Sequence, residues 1–247
     1  MTVALISGAS RGIGRATALL LAQEGYTVAV NYHHNVSAAT EVVNEIIAQG
    51  GKAIALRADI SDEAQVMAMF AGIDRLGEPL GALVNNAGIL FTQSSVEDLT
   101  AERINRVLST NVTGYFLCCR EAVKRMSHRH GGKGGAIVNV SSAAARLGSP
   151  GEYVDYAASK GAVDTLTTGL SLEVAAQGIR VNGVRPGFIY TDMHASGGEP
   201  GRVERVKAAL PMQRGGQPEE VAQAIAWLLS DKASYVTGSF LELAGGK

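Results

Sequence analysis

The chain has 247 residues, 46% of them apolar and 18% charged, and its 22 Lys plus Arg against 23 Asp plus Glu leave a formal net charge of −1. That length suits one or two domains, the apolar fraction excludes a disordered chain, and the charge balance excludes general attraction to nucleic acid or to an anionic membrane. The start MTVALISGASRGIG has no basic segment and no run approaches the roughly 20 apolar residues of a membrane helix, so a cytoplasmic protein without signal peptide or membrane span is predicted.

Strands are predicted at 3–7, 27–31, 53–57, 82–85, 136–140, 180–184 and 239–243, each a short apolar or β-branched run. The first runs into Gly8-Ala9-Ser10-Arg11-Gly12-Ile13-Gly14, and a helix pattern through Ala16, Leu19 and Leu20 follows. After the second strand, Ala39, Val42, Val43, Ile46 and Ile47 make a helical stripe. Ser61 before Asp62-Glu63 signals the start of a helix through Val66, Met69, Phe70 and Ile73, with Asp59 left free, and Thr100 before Ala101-Glu102 signals another. Cys118 and Cys119 are adjacent, which suits neither a disulfide framework nor a metal ligand set, and they read as small apolar filler on a helix. The segment 128–135 (HRHGGKGG) turns a helix into the fifth strand. The segment 191–216 is too long for a simple connection and is predicted to be a substrate loop carrying a short helix at 202–210. Pro218 followed by Glu219-Glu220 opens a helix through Val221, Ile225, Leu228 and Leu229. With no repeat or linker, this alternation predicts one doubly wound, Rossmann-type α/β domain over 1–247, with about seven parallel strands covered by helices on both faces.

A glycine trio straight after the first strand allows positive φ and close approach to a ligand, and the following helix start offers free amides to a pyrophosphate. The same residues match Gly-x-Ser-x-Gly, so Ser10 is a rival hydrolase nucleophile, with His194 as its base. That elbow normally follows a central strand reached after an earlier oxyanion loop, and here the pattern follows the first predicted strand, so the phosphate-loop reading is preferred. The second strand ends at Asn31 and Tyr32, then His33 and His34, with no acid between Tyr26 and Thr40 to hold a free ribose 2′-hydroxyl. Arg11 can instead pair with a 2′-phosphate, so NADP(H) is the expected cofactor, with Ser10, Arg11, Asn31, Tyr32 and Tyr156 among its expected contacts. Tyr156 and Lys160 lie four residues apart on one helical face, where a cation would lower a phenol's pKa toward acid–base use. Ser141 and Ser142 follow the fifth strand, at the sheet edge where such folds bind ligands.

These features together resemble the short-chain dehydrogenase/reductase family from end to end. The glycine loop, the Asn85-Asn86-Ala87-Gly88 run, Asn111 of Asn-Val-Thr-Gly, Ser142, Tyr156, Lys160, and Pro186-Gly187 with Thr191 all match, although Ser7 stands where the family usually has Thr. Ser142 lies 156 − 142 = 14 residues before Tyr156, near the upper end of the family spacing, which leaves Ser141 as an alternative. The resemblance implies that Tyr156 exchanges a proton with the substrate oxygen and Ser142 orients that oxygen. Lys160 would bind the nicotinamide ribose and lower the Tyr156 pKa, and Asn111 would complete a proton relay. It further implies adenine contacts from Asp59 and Ile60, ribose contacts from Asn86, Ala87 and Gly88, and nicotinamide contacts from Pro186, Gly187, Ile189 and Thr191.

The chain is similar to bacterial glucose-type sugar dehydrogenases and 3-oxoacyl-carrier-protein reductases, which implies a small-molecule carbonyl or alcohol substrate. Arg146, Leu147, Glu152, Tyr153, Phe188, Met193 and His194 are expected near the pocket, with Glu152 and His194 available to hydrogen-bond it. A homotetramer is expected through the helices bearing Asn111 and Tyr156, using Tyr115, Phe116, Cys119, Val123, Leu166 and Leu170, with 239–247 at another interface. A non-catalytic NADP(H) redox sensor is the alternative, although such a protein would be expected to lose Tyr156 or Lys160.

Overall fold

The computed structural model describes residues 2–247. Its strands are β1 (Val3–Ile6), β2 (Thr27–Tyr32), β3 (Lys52–Arg57), β4 (Leu80–Asn85), β5 (Gly135–Val140), β6 (Ile179–Pro186) and β7 (Phe240–Leu243). The helices are α1 (Gly12–Gln23), α2 (Val36–Ala48), α3 (Glu63–Asp74), α4 (Ala101–Leu108), α5 (Gly114–Met126), α6 (Ala144–Leu147), α7 (Val154–Val174), α8 (Met193–Ser196), α9 (Arg202–Val206) and α10 (Pro218–Leu229). All seven strands join one parallel sheet in the order β3-β2-β1-β4-β5-β6-β7.

Strand side chains alternate between faces, so adjacent residues of one buried strand serve two cores. Val3 and Leu5 pack with Phe70 of α3, Tyr115 of α5 and Val163 of α7. Ala4 and Ile6 pack with Leu21 of α1, Val42 of α2 and Ile225 of α10. Covering both faces in this way is what a parallel sheet requires of its crossover helices.

The expected strands all form, with ends displaced by no more than two residues. The start of α3 differs from expectation by one position. Asp62, not Ser61, accepts the Gln65 amide, because the cap side chain must reach the third helical amide. Ser61 instead donates its hydroxyl and amide to Asp59, which is therefore not left free. The helix expected at 202–210 ends as α9 at Val206 and tightens into a 3₁₀ turn at Lys207–Ala209. Between α4 and α5, Ser109–Thr113 form a π-helical turn, a widening that commonly accompanies function. Tyr115 and Cys119, expected on the outer face of α5, turn into the core, while Phe116 stays 52% exposed. Cys118 and Cys119 are both buried on α5, as small apolar filler would be. Among the described residues no helix is long and apolar enough to cross a membrane.

Candidate active site

The order of the sheet reverses between β1 and β4, and the loops leaving their carboxyl ends diverge to form a crevice. Two asparagines and a serine build its floor. Ser7 Oγ accepts the amides of Asn86 and Ala87 at 2.9 and 3.0 Å. The Asn86 amide group donates back to the carbonyls of Ser7 and Gly8, both at 3.0 Å. A Cβ on Gly8 would lie 2.9 Å from Ala87 Cα, and one on Gly14 would lie 2.5 Å from Asn86 Nδ2. These two glycines thus make room for the Asn86-Ala87 strut.

Asn31, expected to face a cofactor, is 2% exposed. Its Oδ1 accepts the Gly8 amide at 3.1 Å, and its Nδ2 donates to the carbonyls of Leu56 and Ala58 at 3.2 and 3.1 Å. The residue ties the glycine loop to β3, so its effect on a ligand is indirect. Arg11 is extended and caps α1 without a side-chain bond, so the first-turn amides of Gly12, Ile13 and Gly14 have no helical acceptor. Ser10 and Arg11 form the rim of this loop, and Arg11 is exposed. At the end of β2, beyond the half-buried Tyr32, the rings of His33 and His34 stack with centroids 3.5 Å apart. His33 Nε2 lies 3.7 Å from Asp59 Oδ2. Ile60 is buried, and a Cβ on Gly114 would meet its side chain at 2.7 Å. Unpaired amides at a helix start, with a cation on the rim, fit the phosphates of a dinucleotide.

The chemistry-bearing groups gather one strand away, around a cleft of about 150 Å³ lined by Ser142, Tyr156, Lys160, Ile13, Asn86 and Thr191 among others. Ser141 is nearly buried and donates its hydroxyl to the Lys160 carbonyl at 3.2 Å, which leaves Ser142 as the hydroxyl beside Tyr156. Asp155 fixes the start of α7 by accepting the Tyr156 amide at 2.9 Å and the Arg103 guanidinium at 2.8 Å. Asn111, completely buried in the π turn, clamps Ile89 by accepting its amide at 2.8 Å and donating to its carbonyl at 2.9 Å. Its amide group also donates to Ser159 Oγ at 3.1 Å. A Cβ on Gly88 would sit 3.4 Å from Asn111 Oδ1 and 3.6 Å from Lys160 Nζ, so Gly88 brings these two groups together.

Lys160 Nζ donates to the Val140 carbonyl at 2.7 Å and lies 5.6 Å from the centre of the Tyr156 ring. Burial pulls its ammonium down to about 7, against the opposing pull of Asp164. Burial also pushes the Tyr156 hydroxyl up to about 12, and Ser142 draws it partly back. The expected lowering of Tyr156 by its neighbour is therefore absent from the protein alone. Desolvation in the cleft wall outweighs the Ser142 hydrogen bond, and each of the two groups is driven toward its neutral form.

At the end expected to hold the nicotinamide, β6 runs through Pro186. The Gly187 amide donates to the Leu243 carbonyl at 3.0 Å, and a Cβ there would meet Ala244 Cα at 2.9 Å. Buried Ile189 is strapped to Gly216, which closes the base of the long loop. Thr191 Cγ2 lies 3.4 Å from where a Cβ on Gly12 would stand, joining this loop to the phosphate loop.

Of the expected pocket residues, Leu147, Tyr153, Phe188, Met193 and His194 line the cleft. Burial pulls the His194 pKa down, and its Nε2 is 2.9 Å from the Ile189 carbonyl. Glu152 lies outside the lining and grips Arg202, and Arg146 pairs with Glu242. Sequence reasoning missed Arg202, Leu90 and Asp155. Asp155 carried a signal as an acid in the first turn of a helix, whereas Arg202 reaches the cleft only through the folded loop.

A family model described as enoyl-(acyl carrier protein) reductase matches residues 8–247. The uncharacterized oxidoreductase YgfF of Escherichia coli K12 is 81% identical over 247 residues, covering 100% of both chains. The 3-oxoacyl-(acyl-carrier-protein) reductase FabG of Staphylococcus aureus is 40% identical over 98% of this chain and 96% of its own. A short-chain dehydrogenase/reductase structure from Serratia marcescens superposes with a TM-score of 0.91 at 33% identity, covering 99% of this chain and 97% of that one.

Proposed function

From the premise that the chain belongs to the short-chain dehydrogenase/reductase family and is an oxidoreductase of that kind, we infer that it interconverts a carbonyl and a secondary alcohol with NADP(H), Tyr156 handling the proton. The observation that carries this reading is the meeting of Ser142, Tyr156 and Lys160 in one cleft with the glycine loop. When bound, the nicotinamide supplies or accepts the hydride at the substrate carbon.

The first-turn amides of α1 would hold the pyrophosphate, with Gly12 and Ile13 nearest the cleft. Arg11 would pair with the 2′-phosphate, and His33 with Asp59 would flank the adenine side. Gly187, Ile189 and Thr191 would orient the nicotinamide ring. In the reducing direction Ser142 donates a hydrogen bond to the carbonyl oxygen and Tyr156 Oη delivers a proton to that oxygen as it takes on the C=O π pair. A phenol held at about 12 remains protonated across physiological pH, which suits it to donate. Lys160, held near 7, can return that proton at neutral pH, and the Val140 carbonyl holds its ammonium beside Gly88.

Phe116, Val123, Leu166 and Leu170 line an open groove of about 760 Å³ between α5 and α7. Apolar surface of this kind supports assembly into a homotetramer. The reading is tested by following nicotinamide absorbance with carbonyls plus NADPH and with sugars and alcohols plus NADP⁺, beside matched NADH and NAD⁺ reactions. Turnover of one substrate class, with NADPH favoured by about tenfold or more, is expected from one charge-assisted phosphate contact. A preference for NADH would overturn the cofactor assignment, and absence of any nicotinamide binding would overturn the reading as a whole.

A further inference from the structure

We propose that Arg202 sets the substrate specificity of this cleft, selecting an oxo acid whose carboxylate is separated from the reacting carbonyl by a short apolar spacer; the assignment rests on the reductase reading above. Arg202 begins α9, lines the cleft and is 7% exposed. Its guanidinium carbon lies 4.7 Å from the ring centre of Tyr153 and 5.4 Å from that of Phe188. Its Nη2 donates to Glu152. Its Nη1 is buried without a hydrogen-bond partner among the described residues, with a Glu199 carboxylate oxygen 3.7 Å away.

A guanidinium is a planar, permanently charged donor with no acceptor atom, and a buried N–H left unpaired is costly. The open arm therefore calls for an acceptor, and a carboxylate gives the shortest and strongest bond. The lining of the cleft favours the same partner. Arg202 is its permanently charged group, with no Asp or Glu among the described lining residues, so an incoming anion meets no like charge in the wall. Glu152 and Glu199, outside the lining, pair with Arg202, and Arg205 contacts both. Leu90, Leu147 and Met193 supply apolar wall suited to methylene groups. A rival role for Arg202 is a latch that merely holds the loop over the cleft through Glu152. A latch would affect charged and neutral substrates alike.

The test compares NADPH oxidation with straight-chain 2-, 3-, 4- and 5-oxo acids and with their methyl esters, in the wild type, Arg202→Gln and Tyr156→Phe. At one spacing the wild type should favour the acid over its ester in kcat/KM by about tenfold or more, and Arg202→Gln should lower the acid at least about tenfold further than the ester. Calorimetric titration of the wild type with butyrate through octanoate, against the matching alkanamides, should show the carboxylates binding about tenfold more tightly. That titration decides the matter if Arg202→Gln fails to fold. Equal loss of acid and ester, a preference for esters, or equal binding of alkanoate and alkanamide would overturn the assignment. Tyr156-dependent ester turnover without acid preference would overturn Arg202 alone. Carboxylate binding without any Tyr156-dependent turnover would overturn the reductase reading and leave the Arg202 site standing.

Discussion

Replacing Lys160 by Met should change the pH dependence of stability by an amount the structure sets. Burial lowers the folded-state pKa of Lys160 from 10.5 to about 7. Between those values the unfolded chain binds the proton that the folded chain has released, so wild-type stability rises with pH across that window. Below pH 7 both states hold the proton, and the folded state bears the whole penalty of a buried charge. Integrating the linkage relation from pH 7 to 9 gives a gain of about 2 kcal/mol for this one group. Met fills similar space and does not titrate. Lys160→Met should therefore be more stable than the wild type near neutral pH, and its advantage should shrink by about 2 kcal/mol by pH 9. Urea denaturation of both proteins, without cofactor, at pH 7, 8 and 9 measures the gap. A gap that stays constant would mean that Lys160 titrates at its ordinary value, and would refute the account of a desolvated lysine. Lys160→Met should also lose turnover, since it removes the group placed to return the proton.

Three other outcomes follow from the same geometry. Arg11→Ala should weaken NADPH binding by about tenfold or more while changing NADH little, read by fluorescence titration of the reduced nicotinamide, and an equal loss for both would remove Arg11 from the 2′-phosphate. Asn31→Leu should cost roughly 3 kcal/mol in urea denaturation, because it leaves the Gly8 amide and two buried carbonyls without their partner, and should loosen NADPH binding in parallel. Unchanged stability and binding would mean that the loop does not depend on Asn31. Leu170→Asp places a charge in the groove between α5 and α7 and should reduce the solution mass measured by light scattering, whereas an unchanged mass would place the assembly surface elsewhere.

The strands were legible because β-branched and apolar runs such as TVAV in β2 have no comparably stable alternative on a buried sheet. The glycine loop and the Tyr156/Lys160 pair were legible because each is local, confined to a few adjacent residues. Features that depended on distant chain were not. Asn31 was expected to touch the cofactor from its place at the end of β2, yet its carbonyl partners come from residues 25 and 27 positions later. Arg202 meets Glu152 across 50 residues, so nothing near either one announced the pair. The π turn around Asn111 arises from one extra residue in the helix, which no propensity marks. The direction of the Tyr156 shift was misjudged for a related reason. Spacing shows that two groups share a helical face, but only packing shows how far each is desolvated.

In the proposed reaction Tyr156 supplies the proton, in a cleft that binds NADP(H) without it. The most direct measurement is a single turnover of prebound NADPH with a reducible carbonyl, in the wild type and in Tyr156→Phe, with NADPH affinity measured on the same samples. NADPH should bind both proteins with similar affinity, and the rate of nicotinamide oxidation should fall by about a hundredfold or more in the variant, as loss of a general acid requires. Oxidation in Tyr156→Phe at the wild-type rate, with NADPH bound, would contradict the assignment and move the proton donor to another group in the cleft.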